Sequence, residues 1–252
     1  MMSDLVLFIL IGFLAQMVDG AIGMAYGLIA TSVLLSFGVP LTTASASVHA
    51  AEVFTTGASA LSHWRLGNVD RKLFLRLAPA GMVGGGLGAY VLSAAPGEVM
   101  RPLVSVYLAL MGGVILWKAL RGAATPGRTP RHVAALGLCG GFVDAVGGGG
   151  WGPLVASTLV GRGAAARLAI GSTNAAEFLM TTTISATFVM TVGLELWPVI
   201  AGLVLGGVLA APLAAYAVRW LPERWLMGLV GVVIVLLSLR EIPRILLVIT
   251  SD

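Results

Sequence analysis

Two aspartates, two glutamates and a histidine stand in stretches otherwise built of apolar and small residues. Ser45, His49, Glu52 and Thr56 are spaced 4, 3 and 4 apart, which places them on one helical face. The second set reads Ile170, Asn174, Glu177 and Thr181. A carboxylate on an intramembrane helix costs at least ~2.5 kcal/mol on insertion scales and must face protein or water. Its chemistry there is substrate or proton handling, or hydrogen bonding that braces nearby backbone. Both readings stay open for Glu52 and Glu177. Asp19 and Asp144 precede glycine clusters. They are read first as braces that accept from backbone N–H groups near Gly23 or Gly148, with proton or cation binding as the alternative. Tyr26 and Trp151, seven residues after each Asp, flank a ligand or anchor the turn. His49 titrates near neutrality when unperturbed and is a candidate proton carrier or a structural histidine. Its counterpart Asn174 cannot titrate, so the two sets differ in chemistry. Beside the polar stripe run small faces, Ser47-Ala50-Ala51 and Ser172-Ala175-Ala176, which let backbone or substrate come close. Gly27 and Gly152 begin segments whose free N–H groups form an anion site without Lys or Arg. The run Gly147 to Gly150, including Gly148, Gly149 and Gly150, permits close backbone approach.

These residues belong to an internal repeat. Asp19 to Thr56 recurs as Asp144 to Thr181 at a constant offset of 125, with 12 of 38 positions identical. The identities include Asp19 with Asp144, Gly23 with Gly148, Gly27 with Gly152, Gly38 with Gly163, Ser47 with Ser172, Glu52 with Glu177 and Thr56 with Thr181. General hydrophobicity does not explain shared acids and glycines. Repeated carboxylates at membrane depth are a transporter signature. The match continues through Ala80, Gly81, Gly85, Gly86 and Ala89 onto Ala201, Gly202, Gly206, Gly207 and Ala210 at an offset of 121. The four-residue change is read as a shorter second-half loop. Gly81-x-x-x-Gly85, Gly84-x-x-x-Gly88 and Gly202-x-x-x-Gly206 are read as helix packing positions.

Composition sets the class. Apolar residues make up 58% and charged residues 10% of the 252-residue chain, with mean hydropathy +0.98. A soluble domain carries roughly 25% charged residues. Apolar runs of about 20 residues therefore point to an integral membrane protein. The net charge of +4 lies in short loops, where it orients a membrane protein, and does not imply nucleic acid. The N-terminal run is read as retained, without a cleaved signal. The single Cys139 excludes an internal disulfide and is read as packing. Three histidines and one cysteine share no metal-ligand spacing, no nucleotide loop is present, and no hydrolase-type Ser-His-Asp grouping is evident. No cofactor, metal or enzymatic activity is expected.

The expected fold is an all-α polytopic membrane protein with repeats over 1–125 and 126–252 in one membrane domain. Each repeat holds a Gly-broken hairpin plus three transmembrane helices. The linker falls in Lys118–His132, and the apolar tail Ile242–Ile249 has no assigned place. Val133–Asp144 and Gly152–Val160, 12 and 9 residues long, span about 18 and 13 Å at ~1.5 Å per residue. Neither crosses a hydrocarbon core of about 30 Å. They form one discontinuous span or two re-entrant arms. Spanning makes the halves parallel and divides Arg and Lys 10 to 5 across the membrane, whereas re-entry makes them inverted and divides the charges 12 to 3. The positive-inside rule favours inverted repeats with glycine tips meeting near the midplane.

Gly12-Phe13, Asp19-Gly-Ala-Ile-Gly23, Tyr26-Gly27 and Ala46-Ser47-Val48-His49-Ala50-Ala51-Glu52 resemble motifs of the sulfite exporter TauE/SafE family, also called the 4-toluene sulfonate uptake permeases. So do Gly141-Phe-Val-Asp144, Gly147-Gly-Gly-Gly150 and Gly171-Ser-Thr-Asn-Ala-Ala-Glu177. The resemblance covers nearly the whole chain. It implies a multi-pass prokaryotic inner-membrane transporter of small sulfur-containing anions such as sulfite or sulfoacetate, secondary and proton-linked. The less glycine-rich first tip departs from the second and is read as stiffer. The alternatives are an anion-binding sensor or accessory protein without transport, and a passive channel. The partners are the anion and the lipid bilayer, not nucleic acid. Oligomeric state stays open, a homo-oligomer included. Four acids without nearby Lys or Arg read by themselves as a cation or proton site. The resemblance moves the reading to an anion held by the arm N-termini, with some acids neutral or hydrogen-bonded.

Overall fold

The computed structural model describes residues 2–121, 132–162, 164–217, 225, 228–229 and 231–239. Among these, every regular element is a helix. The first half runs α1 (Met2–Ile22), α2 (Tyr26–Ser36), α3 (Leu41–Arg65), α4 (Arg71–Ala94) and α5 (Gly97–Arg121). The second begins with α6 (Val133–Gly147), returns through a π-helical turn, Gly152–Ala156, into α7 (Ser157–Gly161), and continues as α8 (Ala166–Thr191) and α9 (Trp197–Ala217). The stretch 231–239 is helical and packs Ile234 and Val235 against Gly112 of α5. The expected boundary at 125/126, the tail Ile242–Ile249 and Gly163 lie outside the described residues. Lys118, assigned to the linker from sequence, is part of α5.

Local chemistry sets the helix ends. Asp70 starts α4 by accepting from the N–H groups of Lys72 at 2.8 Å and Leu73 at 3.2 Å, as an N-cap side chain does. The four-residue change between halves lies in this helix and not in a loop. Five residues, 66–70, join α3 to α4, and five, 192–196, join α8 to α9. Since α4 starts at Arg71 and α9 at Trp197, the Asp70 cap gives α4 an additional N-terminal turn.

The arms of the second hairpin also differ from the sequence expectation. α6 continues three residues past Asp144, because its carbonyl accepts from the Gly149 N–H at 2.9 Å and Gly148 closes the helix in the left-handed region at φ 67°. The returning arm ends at Gly161, one residue beyond Val160. In the first hairpin α1 reaches Ile22, and Gly23 and Ala25 turn the chain with φ of 72° and 100°.

Packing crosses between halves. α1 lies along α9, α4 along α6, and α3 against α8. The first two pairings are each other's repeat-shifted counterparts. Glycines let these backbones touch: Gly84 and Gly88 of α4 face the carbonyls of Leu138 and Phe142, and Gly206 of α9 faces that of Ile9. Thr56 and Thr181, which are repeat equivalents, meet with hydroxyl oxygens 3.5 Å apart.

The outer faces are apolar too. Leu75, Val83, Leu87, Leu103, Val106 and Leu110 of α4 and α5 are exposed, the pattern of a surface that meets lipid. Both helices are long and apolar enough to cross a membrane. Cys139, read as packed, is exposed on α6 near the exposed Leu138 and Phe142.

Candidate functional site

The hairpin tips touch each other. A Cβ on Gly27 would stand 2.8 Å from Gly149 Cα and 2.9 Å from the Gly148 carbonyl oxygen. A Cβ on Gly152 would stand 2.5 Å from Met24 Cα and 2.6 Å from the Gly23 carbonyl oxygen. The second contact is the first shifted by the repeat. Only glycine at these crossings lets the two chains pass so closely.

Each aspartate accepts from the first residue of its returning arm. The Tyr26 N–H donates to Asp19 Oδ1 at 3.4 Å, and the Trp151 N–H donates to Asp144 Oδ1 at 2.7 Å. The Gly27 N–H is directed at the Glu52 carboxylate. The arm N-termini, regarded from sequence as free for an anion, are thus occupied by the chain's own carboxylates. A helix N-terminus attracts negative charge whether it comes from a ligand or a side chain.

The polar stripe of α3 faces the second tip. Ser45 Oγ donates to the Ala145 carbonyl at 2.8 Å. His49 Nε2 lies 3.1 Å from Asp144 Oδ2 and 3.9 Å from Glu52 Oε2. All three side chains are buried, and Glu52 Oε2 has no hydrogen-bond partner among the described residues. Glu177, Asp19, Glu52 and Asp144 act on one another electrostatically. Phe188 of α8 covers the His49 ring with centroids 6.2 Å apart.

The His49, Glu52 and Asp144 ligand atoms lie within 4.8 Å of one another. They form a donor set of a kind able to hold a proton or a metal ion. The direct contact of His49 with Asp144 is a hydrogen-bond distance.

The second stripe is used differently. Asn174 Nδ2 donates to the Ile170 carbonyl at 2.9 Å, and its Oδ1 accepts from Ser59 at 3.1 Å. Ser47 and Ser172 are not brought to the tips. Ser47 donates to the Thr43 carbonyl in its own helix, and Ser172 accepts from the Asp70 N–H at 2.8 Å, holding the loop before α4. The ring ends of Tyr26 and Trp151 are tied to protein: Tyr26 Oη donates to the Leu203 carbonyl and Trp151 Nε1 to that of Thr173.

Three positions that sequence reading missed hold the second tip. Thr31 donates to the Gly148 carbonyl at 2.5 Å, and Tyr107 to that of Gly149 at 2.8 Å. Lys118 Nζ donates to Ser157 Oγ at 2.5 Å and to the Pro153 carbonyl at 3.1 Å, gripping the π-helical turn. Thr31 and Tyr107 carry no local pattern. Only Lys118, a cation near the end of an apolar run, gave a signal.

The sulfite exporter TauE/SafE family model matches residues 8–240. The chain belongs to that family. It is also 40% identical over 251 residues to the probable membrane transporter protein YtnM of Bacillus subtilis (strain 168), covering 96% of this chain and 83% of that protein. No solved structure matches it. As a TauE/SafE member the protein is a membrane transporter. Its buried acids and His49 therefore sit within a transport protein.

Proposed function

We propose that the protein is a secondary transporter of small sulfur-containing anions, among them sulfite, sulfoacetate and other sulfonates, and that transport is linked to protons. The family and the YtnM relative support transport as such. The observation that carries the finer reading is the meeting of two glycine tips, each with an aspartate on the first N–H of its returning arm. An anion takes its place at those N-termini when the carboxyls turn away or become neutral. Like charges in a dry site repel, so proton uptake and anion binding favour each other. The arrangement supports proton linkage in this way.

The same reading takes residues 1–125 and 126–252 as inverted repeats in a prokaryotic inner membrane, with the hairpins re-entering and the site where the tips meet. The exchanged pairing of α1 with α9 and α4 with α6, and the contact of Thr56 with Thr181, support a two-fold relation. Gly23, Tyr26, Gly27, His49, Gly148, Gly149, Gly150, Trp151, Gly152 and Asn174 surround or adjoin the site. Asp19, Glu52, Asp144 and Glu177 serve it by bracing or by proton coupling, not each by both.

The test is radiolabelled sulfite counterflow in proteoliposomes. Saturable exchange, inhibited by sulfoacetate and reduced in Glu52→Gln and Glu177→Gln, is the expected result. Unreduced exchange in both variants removes these carboxylates from the mechanism. Saturable binding without flux makes the protein a sensor, and conductance at single-channel scale makes it a channel.

A further inference from the structure

Hydrogen bonding around His49 determines where its protons sit. Nδ1 lies 2.8 Å from the Ser45 carbonyl oxygen and 3.2 Å from Ser45 Oγ. The carbonyl only accepts. The Ser45 hydroxyl spends its hydrogen on the Ala145 carbonyl, so it too offers only lone pairs to the ring. Nδ1 therefore carries hydrogen. Turning the ring over would set carbon against both Ser45 and Asp144 and lose both contacts. Nε2 then faces Asp144 Oδ2 at 3.1 Å and Glu52 Oε2 at 3.9 Å. A neutral imidazole with Nδ1–H presents a lone pair there, opposite two carboxylate oxygens. Three acceptors facing one another in a buried place are unfavourable until a proton joins them. That proton lies on Nε2 and is donated to Asp144, or lies on a carboxyl and is donated to Nε2. The unpartnered Glu52 Oε2 is the open acceptor beside it.

The repeat supplies the comparison. At the equivalent place stand Asn174, Glu177 and Asp19. The Asn174 amide is drawn to Ile170 and Ser59, cannot gain a proton in this range, and makes no hydrogen bond to Asp19. The shape is repeated but the imidazole is not.

We propose that the coupled proton is held once per chain, between His49 Nε2 and the carboxylates of Asp144 and Glu52, and that Asn174, Glu177 and Asp19 do not carry it. This rests on the transport function proposed above. His49 and Glu52 belong to one half and Asp144 to the other, so separating the tips breaks the proton site. Proton release and tip opening are then one event. The titratable groups around the cluster are Asp19 on α1, Tyr26 on α2, Tyr107 on α5 and Glu177 on α8. Among the described residues none of these is basic, so no neighbouring cation substitutes for the shared proton. The step moves one proton and forms no covalent bond with substrate. His49 releases it as the neutral ring, or the carboxyl releases it as carboxylate.

Two readouts test this. In nanodiscs, 15N-histidine NMR of the full chain carrying His63→Ala and His132→Ala will show His49 with Nδ1 protonated and with a hydrogen-bonded Nε2. Asp144→Asn will move the Nε2 shift toward its lone-pair value. A His49 ring bearing hydrogen on Nε2 alone, with a bare Nδ1, overturns the assignment. In proteoliposomes containing a pH-sensitive dye, an imposed sulfite gradient will drive proton movement in the wild type and in Asn174→His. His49→Asn and His49→Gln will lower the number of protons moved per sulfite, read as the ratio of the two fluxes in the same vesicles. An unchanged ratio in both His49 variants, or sulfite flux in the wild type without proton movement, overturns the proposal and leaves the transporter reading intact. Loss of wild-type proton coupling on chelation also overturns it, in favour of a metal. Absence of all sulfite flux defeats the substrate reading instead, and the NMR experiment still decides the proton site.

Discussion

Gly149→Ala probes the contact between the two tips, with Gly38→Ala as its control. Gly149 has φ +146° and Gly38 has φ +85°, so alanine is strained at both. Such strain costs about 1–3 kcal/mol at each position. The surroundings differ. A Cβ on Gly149 would collide with the Leu28 amide nitrogen and the Gly27 carbonyl carbon, and would stand 2.9 Å from Gly27 Cα. These are backbone atoms of the opposite tip and cannot rotate away. A Cβ on Gly38 meets nothing within 4 Å. Overpacking adds about 1–3 kcal/mol at Gly149 alone. At ~2–4 °C per kcal/mol for a chain of this size, Gly149→Ala will unfold about 2–12 °C below Gly38→Ala. Thermal unfolding of both variants in the same nanodiscs, followed by tryptophan fluorescence, measures the difference. Gly27→Ala, pressing on the same contact from the other side, will combine non-additively with Gly149→Ala. A Gly149→Ala protein as stable as Gly38→Ala refutes the tip-to-tip contact.

The aspartates will not be equivalent. Asp144→Ala, which removes the partner of both the Trp151 N–H and His49, will cost about 3–5 kcal/mol, whereas Asp19→Ala, which removes an acceptor 3.4 Å from the Tyr26 N–H, will cost about 1–3 kcal/mol. Denaturant unfolding of the two variants checks this, and a larger cost at Asp19 contradicts the geometry. For inverted repeats, cysteines introduced as Pro40→Cys and Gly161→Cys in a Cys139→Ser background will label from opposite membrane faces with an impermeant maleimide. Labelling from the same face restores parallel halves.

The repeat was readable because acids and glycines recur at one offset within apolar sequence. α3 and α8 begin at equivalent residues, Leu41 and Ala166, as that offset requires. The contact of Asp144 with the Trp151 N–H spans seven residues and follows from local chain reversal. The expected arm ended at Asp144, with residues 145–151 taken as the break, whereas α6 continues through Gly147 to a left-handed cap at Gly148. Ser47 and Ser172 shared the repeat and the small-residue face, yet packing turned their hydroxyls to Thr43 and Asp70.

The sequence alone determined the class of molecule, its internal duplication and the residues able to exchange protons, since these depend on composition, periodicity and local backbone chemistry. Tertiary structure decided which of those residues meet. His49 finds Asp144 across 95 positions, Ser45 finds Ala145 across 100, and Tyr107 reaches Gly149 across 42. No helical period carries such pairings. They arise because glycine crossings let the two hairpins approach until α3 of one half lies against the tip of the other, and that approach brings His49 to Asp144 and Glu52.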